Sequence, residues 1–423
     1  MKPLKPSLAP AATATAEAGR PTRPGSGRRR TLCRGAVGAV AIMAGSMMGL
    51  GQAAAEPLSA PSFGGPLRPN PDPMSTDAGV FGRLHITGQI TGIGNAQTNG
   101  IPGVDPRTTD PLVDIGNAQI QVQTTGAPLT FFVQGGVYSL PSLGSAYTRA
   151  TEVTDQLYGP VPVAYGKLEL SPNFSVQAGL LPTLIGAEST FTFQNMNIAR
   201  GLLWNQEPAI SRSVQVNYSN GPFNASVSVN DGFYSGDYNW VSGLVSYAAT
   251  PSSTITLVAA GNFAESGKTG AATPLAQNNS SIFNVIYTYV DGPLTLQPYL
   301  QYTTVRSNRD IGIDRSAETF GGALLARYAI NENFSIAGRA EYIASSGGDC
   351  GVAADCAPTN LLYGPKSRAW SLTVTPTYQR GIFFARTELS YTRIDRVTEG
   401  YGFGSNFDKR DQVRGMFEAG VLF

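Results

Sequence analysis

The chain has 423 residues, of which 14% are charged, with 49 glycines, 18 tyrosines and 19 phenylalanines. Ordinary soluble domains carry about 25% charged residues, so this composition points away from them. A formal net charge of +1 and a single histidine exclude a basic nucleic-acid binder and leave little for acid–base hydrolysis.

Arg28, Arg29, Arg30 and Arg34 lead into an apolar stretch from Gly35 to Leu50, and Ala53-Ala54-Ala55 follows it. A basic segment, a short apolar core and a small-residue site predict a cleaved secretory signal over residues 1–55. As a helix the apolar stretch would reach only about 24 Å, too short to span a bilayer. Cutting after Ala55 leaves 423 − 55 = 368 residues. The leader holds eight basic residues and one acid, a net +7, so the mature chain carries +1 − 7 = −6. That sign argues against nucleic acid as a partner. Residues 56–80 are rich in Pro, Gly and Ser and are expected to form a flexible periplasmic linker.

From Phe81 to Phe423 one pattern repeats: two alternating runs of about ten residues meet at a tight turn, and a longer polar loop leads to the next pair. Turn residues stand where such hairpins need them, at Ser171-Pro172-Asn173, Asn220-Gly221-Pro222, Asp291-Gly292-Pro293 and Arg380-Gly381. Strands are expected to begin near Arg83, Val113, Leu129, Val161, Phe174, Arg212, Phe223, Trp240, Thr254, Ser281, Leu294, Thr319, Phe334, Arg368, Ile382 and Gln412. That makes about sixteen, with fourteen or eighteen as alternatives. One face of each is apolar, as in Val214, Val216 and Tyr218; the other is polar, as in Ser213, Gln215 and Asn217. The pairs Tyr218/Phe223, Tyr328/Phe334 and Tyr378/Phe383 each flank a short turn at one level. A ring of aromatics at one end has a purpose in a membrane and none in a soluble sandwich. The expected fold is therefore all-β, a transmembrane antiparallel barrel in lipid of the bacterial outer membrane.

The third long loop, Leu184 to Ile210, mixes Phe191, Phe193, Leu202, Leu203 and Trp204 with amides and two acids, Glu188 and Glu207. A solvated loop would not carry so many large apolar groups, so it is expected to fold into the barrel; the alternative is packing across the outer mouth or against a neighbouring subunit. Inward-facing charges cluster on the late strands: Arg327, Arg339, Glu341, Arg386, Glu388 and Arg414. Two readings stand for these groups. Basic wall and acidic loop would form a pore constriction with a transverse field across a water-filled gap, or the charges would pair as wall bridges. Phe191, Phe193 and Trp204 could stack on sugar rings if the pore were carbohydrate-selective.

Cys350 and Cys356 are expected to form a disulfide in the seventh long loop, since a metal site would need further ligands. No phosphate-binding loop, metal cluster or cofactor motif is apparent, and no enzyme activity is expected. The closing strand alternates strictly: Val413, Gly415, Phe417, Ala419, Val421 and Phe423 on one face, Arg414, Met416 and Glu418 on the other. Its terminal aromatic resembles the C-terminal signature of bacterial outer-membrane barrels, which the barrel-assembly machinery reads.

Two segments, GGALLARYAINENFSIAGRAEYIASSG and LLYGPKSRAWSLTVTPTYQRGIFFARTELSYTRI, resemble the OmpL-like β-barrel porin family. GLLPTLIGAE, NIARGLLWNQEP and VSVNDGFYSGDYNW are similar to it as well, so the resemblance covers most of Val161 to Phe423. It implies an outer-membrane pore for passive diffusion of ions and other small hydrophilic solutes, and names no solute. A solute-selective channel and a structural or adhesive barrel with a blocked lumen are the alternatives. A homotrimer is expected only by analogy with general porins.

Overall fold

The computed structural model describes residues 65–103, 111–346 and 362–423. Cys350 and Cys356, the leader and the first part of the linker lie outside the described residues. A short strand, β1 (Met74–Asp77), precedes sixteen longer ones. These are β2 (Arg83–Gln97), β3 (Leu112–Thr125), β4 (Leu129–Tyr138), β5 (Val163–Glu169), β6 (Phe174–Pro182), β7 (Ile210–Asn220), β8 (Phe223–Asn230) and β9 (Trp240–Thr250). They continue as β10 (Ser253–Asn262), β11 (Ser280–Asp291), β12 (Leu294–Val305), β13 (Ala317–Ala329), β14 (Phe334–Ser345), β15 (Arg368–Arg380), β16 (Phe383–Asp395) and β17 (Asp411–Leu422).

Each of the sixteen pairs antiparallel with its neighbours in sequence, and β17 closes the cylinder on β2 with Arg414 opposite Gln97 and Leu422 opposite Gln89. Closure leaves the sixteen strands without an open edge between first and last, which is what a sheet surrounded by lipid requires. The expected strands are all present, including β2, whose glycines weaken its pattern.

Alternation sets the two faces. Val214 and Val216 of β7 are exposed while Gln215 between them is buried, and Leu372 of β15 is exposed between buried Ser371 and Thr373. In water each exposed large aliphatic would forgo about 1.5–3 kcal/mol of burial, so the outward face is stable only against lipid. At the short-turn end Phe174 packs on Tyr218 with ring centroids 4.8 Å apart, and Phe334 on Tyr378 at 4.7 Å. These rings form the expected belt at one level.

The last residue completes the closure. Phe423 donates its N–H to the Gly88 carbonyl (2.9 Å) and accepts from Gly88 N–H (2.8 Å). Its ring covers Gly88 so closely that a Cβ there would stand 2.7 Å from the ring edge.

The buried apolar core lies inside the cylinder. Leu143 and Tyr147 from the second long loop (139–162), and Ile185, Ile198, Leu202 and Leu203 from the third (183–209), pack on inward residues such as Ile93, Ile343 and Ile394. Part of the stretch expected as a flexible linker has defined partners instead: Leu67 is buried, and β1 pairs with the start of β2.

Candidate pore constriction

Loop 3 leaves β6 and returns to β7 through a hydrogen bond from Thr183 N–H to the Ala209 carbonyl at 3.0 Å. Between these points it is folded into the cylinder, as its apolar content led us to expect. Phe191 and Phe193 lie stacked at 6.0 Å and buried among Phe132, Tyr138 and Tyr165 of the inner wall. Asn195 ties the turn by donating to the carbonyls of Ser189 and Phe191, both at 2.8 Å.

The far side of the loop is bonded to the charged wall. Arg339 on β14 meets Glu188 at 2.6 Å and Glu341 at 3.2 Å, and donates to the Ala199 carbonyl at 2.8 Å. Glu188 also accepts from Gly201 N–H at 2.7 Å. Glu341 accepts from Leu202 N–H (3.1 Å) and Ser371 Oγ (2.6 Å). Glu388 on β16 accepts the N–H groups of Ile198 (2.5 Å) and Ala199 (3.2 Å). Arg386 donates to the carbonyls of Asn195 (2.9 Å) and Thr192 (2.7 Å) while binding Glu418 at 2.6 Å. The wall charges thus satisfy the loop's backbone, which a loop taken out of water needs.

This arrangement corrects the transverse-field reading for Glu188. It does not face the arginines across a water-filled gap, because the Glu188 and Arg339 side chains are in contact and 1% and 0% exposed. Glu207 stands apart from the arginines, with Tyr299 Oη at 3.4 Å as its hydrogen-bond donor. Burial pushes its carboxyl well above the usual range, and the charge of Glu188 acts in the same sense. Arg414 binds loop 2 and not loop 3, donating to the carbonyls of Ser142 (2.7 Å) and Ser145 (2.8 Å). Arg327 lies outside the cluster, partly exposed, with no hydrogen-bond or ion-pair partner among the described residues.

Of the three aromatics that could have stacked on a sugar, two are not placed to meet a solute. Phe191 and Phe193 are enclosed in the core, and the Arg200 guanidinium sits 4.6 Å over the Trp204 ring. Trp204, with Asn205 and Glu207, borders a cavity of about 320 Å³ on the long-loop side, beneath Tyr158, Tyr363 and Tyr401. The loop amides are engaged within the protein: Asn197 donates to Thr375 at 2.7 Å and Asn205 to the Leu143 carbonyl at 2.8 Å.

Three residues of the cluster escaped the sequence reading as site members. Glu418 is the counter-ion of Arg386 and accepts from Thr192 (2.6 Å) and Thr91 (3.0 Å). Arg200 exchanges backbone bonds with loop 2, through Leu143 N–H (2.8 Å) and the Pro141 carbonyl (3.0 Å). Thr192 links β3 to β17 by accepting from Asn117 at 2.7 Å. Glu418 had a signal, its place on the polar face directly across from Arg386.

The family described as "Putative beta-barrel porin-2, OmpL-like" matches residues 83–423, the whole of the closed cylinder. The chain belongs to this family. It is an outer-membrane pore for passive diffusion, and its barrel lies in the bacterial outer membrane; in such barrels the short turns are the periplasmic ones. Among solved structures, similar folds include an anion-selective porin from Comamonas acidovorans at TM-score 0.54 and 12% identity, covering 80% of this chain and 99% of that one. OmpF of Salmonella typhi in complex with daunomycin gives 0.52 and 12%, covering 83% and 100%. OmpT of Vibrio cholerae gives 0.52 and 10%, again covering 83% and 100%. At these identities the likeness is one of fold. No curated protein matches the chain in sequence.

Proposed function

We propose that this porin is a narrow general-diffusion pore for small hydrophilic solutes, in which loop 3 is a fixed part of the wall and no enzymatic step takes place. The observation that carries the reading is the bonding of loop 3 to Arg339, Glu341, Arg386 and Glu388. It turns the charges of this cluster into internal bridges, so that amides and hydroxyls make up much of the remaining inner wall. Ser246, Thr256, Thr288 and Gln297 line the partly exposed inner wall on the periplasmic half. Such a lining discriminates by size more than by chemical identity. Glu188, Glu207, Arg339, Glu341, Arg386, Glu388 and Arg414 then set the width of the constriction by fixing loops 2 and 3.

Residues 1–55 act as the export signal, Phe423 as the mark read by the assembly machinery, and Cys350 with Cys356 as a loop staple. Assembly into a homotrimer belongs to the same reading. Liposome swelling with sugars, amino acids and organic anions tests it: uptake should fall smoothly with solute size. A single favoured solute within a size class would replace general diffusion with a selective channel, and no uptake would indicate a blocked lumen.

A further inference from the structure

The segment before the barrel has a place in the lumen. β1 pairs with the first residues of β2, from Met74 opposite Ile86 to Asp77 opposite Arg83. That is the stretch of β2 left unpaired where β17 ends, opposite Gln89. Ahead of β1 the chain turns inward and is clasped to Gln379, near the periplasmic end of β15. Arg68 N–H donates to Gln379 Oε1 (2.8 Å), Arg68 Nη2 to the Gln379 carbonyl (2.9 Å), and Gln379 Nε2 to the Arg68 carbonyl (2.8 Å). Leu67 is buried in the cluster that holds Phe191 and Phe193 of loop 3. Gly65 lies against Gln194, where a Cβ would come within 2.7 Å of the Gln194 Cα. Only glycine allows two backbones to approach so closely. Loop 3 is therefore contacted from the periplasmic side by the protein's own N-terminal segment.

The charges follow from the same geometry. Arg339, Arg386 and Glu188, Glu341, Glu388, Glu418 are bonded among themselves or to loop backbone and are buried. Arg68 is exposed, and Gln379, which clasps it, lies on β15, two strands from Arg327 and four positions along from Thr375, the residue in register with Arg327 through Ala337. Arg327 has no ion-pair partner among the described residues. Glu169, a lumenal acid on β5, is paired with Lys167. Arg68 and Arg327 thus stand on the water side of the constriction without a counter-ion among the described residues, where low-dielectric walls strengthen their field.

We propose that residues 65–73, anchored to the wall by β1, form a lumenal strap that narrows the periplasmic side of the pore and, by adding Arg68 to the part of the wall that carries Arg327, makes it prefer small anions. The inference rests on the diffusion-pore reading. The lumenal population it favours is chloride, inorganic phosphate and short carboxylates.

The test uses the full-length protein in planar bilayers, with potassium chloride and then potassium acetate as probes. A variant lacking residues 65–73 should conduct more than the wild type and lose part of its anion preference. R68E and R327E should each shift the reversal potential toward cation preference. Together they should lower the chloride-to-potassium permeability ratio by about threefold or more, less at high salt. R380E, at the exposed end of β15, should shift it little, and heat-modifiability should show an intact barrel in all five variants. Equal conductance and equal selectivity in wild type, truncated and charge-reversed barrels would remove the strap and leave the pore. Silence of the wild type and the truncated barrel alike would remove both.

Discussion

Replacing Glu418 with glutamine should undock loop 3 without unfolding the barrel. Glu418 accepts from Arg386 at 2.6 and 2.9 Å, from Thr192 at 2.6 Å and from Thr91 at 3.0 Å. Glutamine keeps the shape and removes the charge, which leaves the Arg386 guanidinium buried without a counter-ion. Breaking a buried pair in this way costs about 3–5 kcal/mol. Arg386 retains the carbonyls of Thr192 and Asn195, which places the expected loss near the lower end, about 3 kcal/mol. At roughly 1.4 kcal/mol per tenfold, the docked-to-undocked ratio of loop 3 should fall about a hundredfold. The strands are untouched, because Arg386 and Glu418 sit opposite each other in an intact β16–β17 ladder. Limited proteolysis should then cut within 183–209 much faster, and single-channel traces should become larger and noisier at unchanged heat-modifiability. The double variant R386Q/E418Q, which leaves neither charge and keeps an amide donor for the loop carbonyls and an amide acceptor for Thr192, should recover much of the protection. A protected loop and an unchanged trace in E418Q would contradict this, as would equal damage in E418Q and the double variant.

Deleting Phe423, or introducing G88V beneath its ring, should lower the yield of assembled barrel while export persists; equal yields of heat-modifiable protein would contradict this. Free-thiol counting on unfolded, unreduced protein should find Cys350 and Cys356 paired, a constraint on the order of 2 kcal/mol for so short a ring; two free thiols would rule the bridge out. Glu207 titrates above the usual glutamate range because it is buried. A raised folded value gives a contribution that is full below the unfolded value and is lost as pH rises through the folded one. Loop 3 should therefore loosen as pH rises through the raised Glu207 value, and E207Q should flatten that dependence in proteolysis run across a pH series.

The wall was legible because each strand reports on two solvents at once. Val214, Gln215 and Val216 suffice to assign lipid and lumen, and the turn at Asn220-Gly221 fixes where the hairpin reverses. The aromatics at Phe174, Tyr218, Phe334 and Tyr378 mark one membrane interface in the same direct way. Loop 3 could be assigned to the interior by composition, since Phe191, Phe193 and Leu203 have no place in water. Its contacts could not be read. Glu188 and Arg339 lie 151 positions apart, and no local period relates a loop to the strand it touches. Glu418 was visible as a polar-face residue, yet its pairing with Arg386 depends on register across a long loop. The segment around Gly65 and Leu67 was hidden for another reason. Pro- and Gly-rich composition describes a chain without its own secondary structure, and here that chain takes its conformation from Gln379 and loop 3.

Water and small solutes pass beside a docked loop 3 in this account of the pore, and single-channel recording of the purified wild-type barrel measures that passage. We predict a steady, ohmic conductance that is insensitive to added sugars and amino acids and grows in E418Q. A silent barrel, or a conductance that one solute class blocks at low concentration, would contradict it.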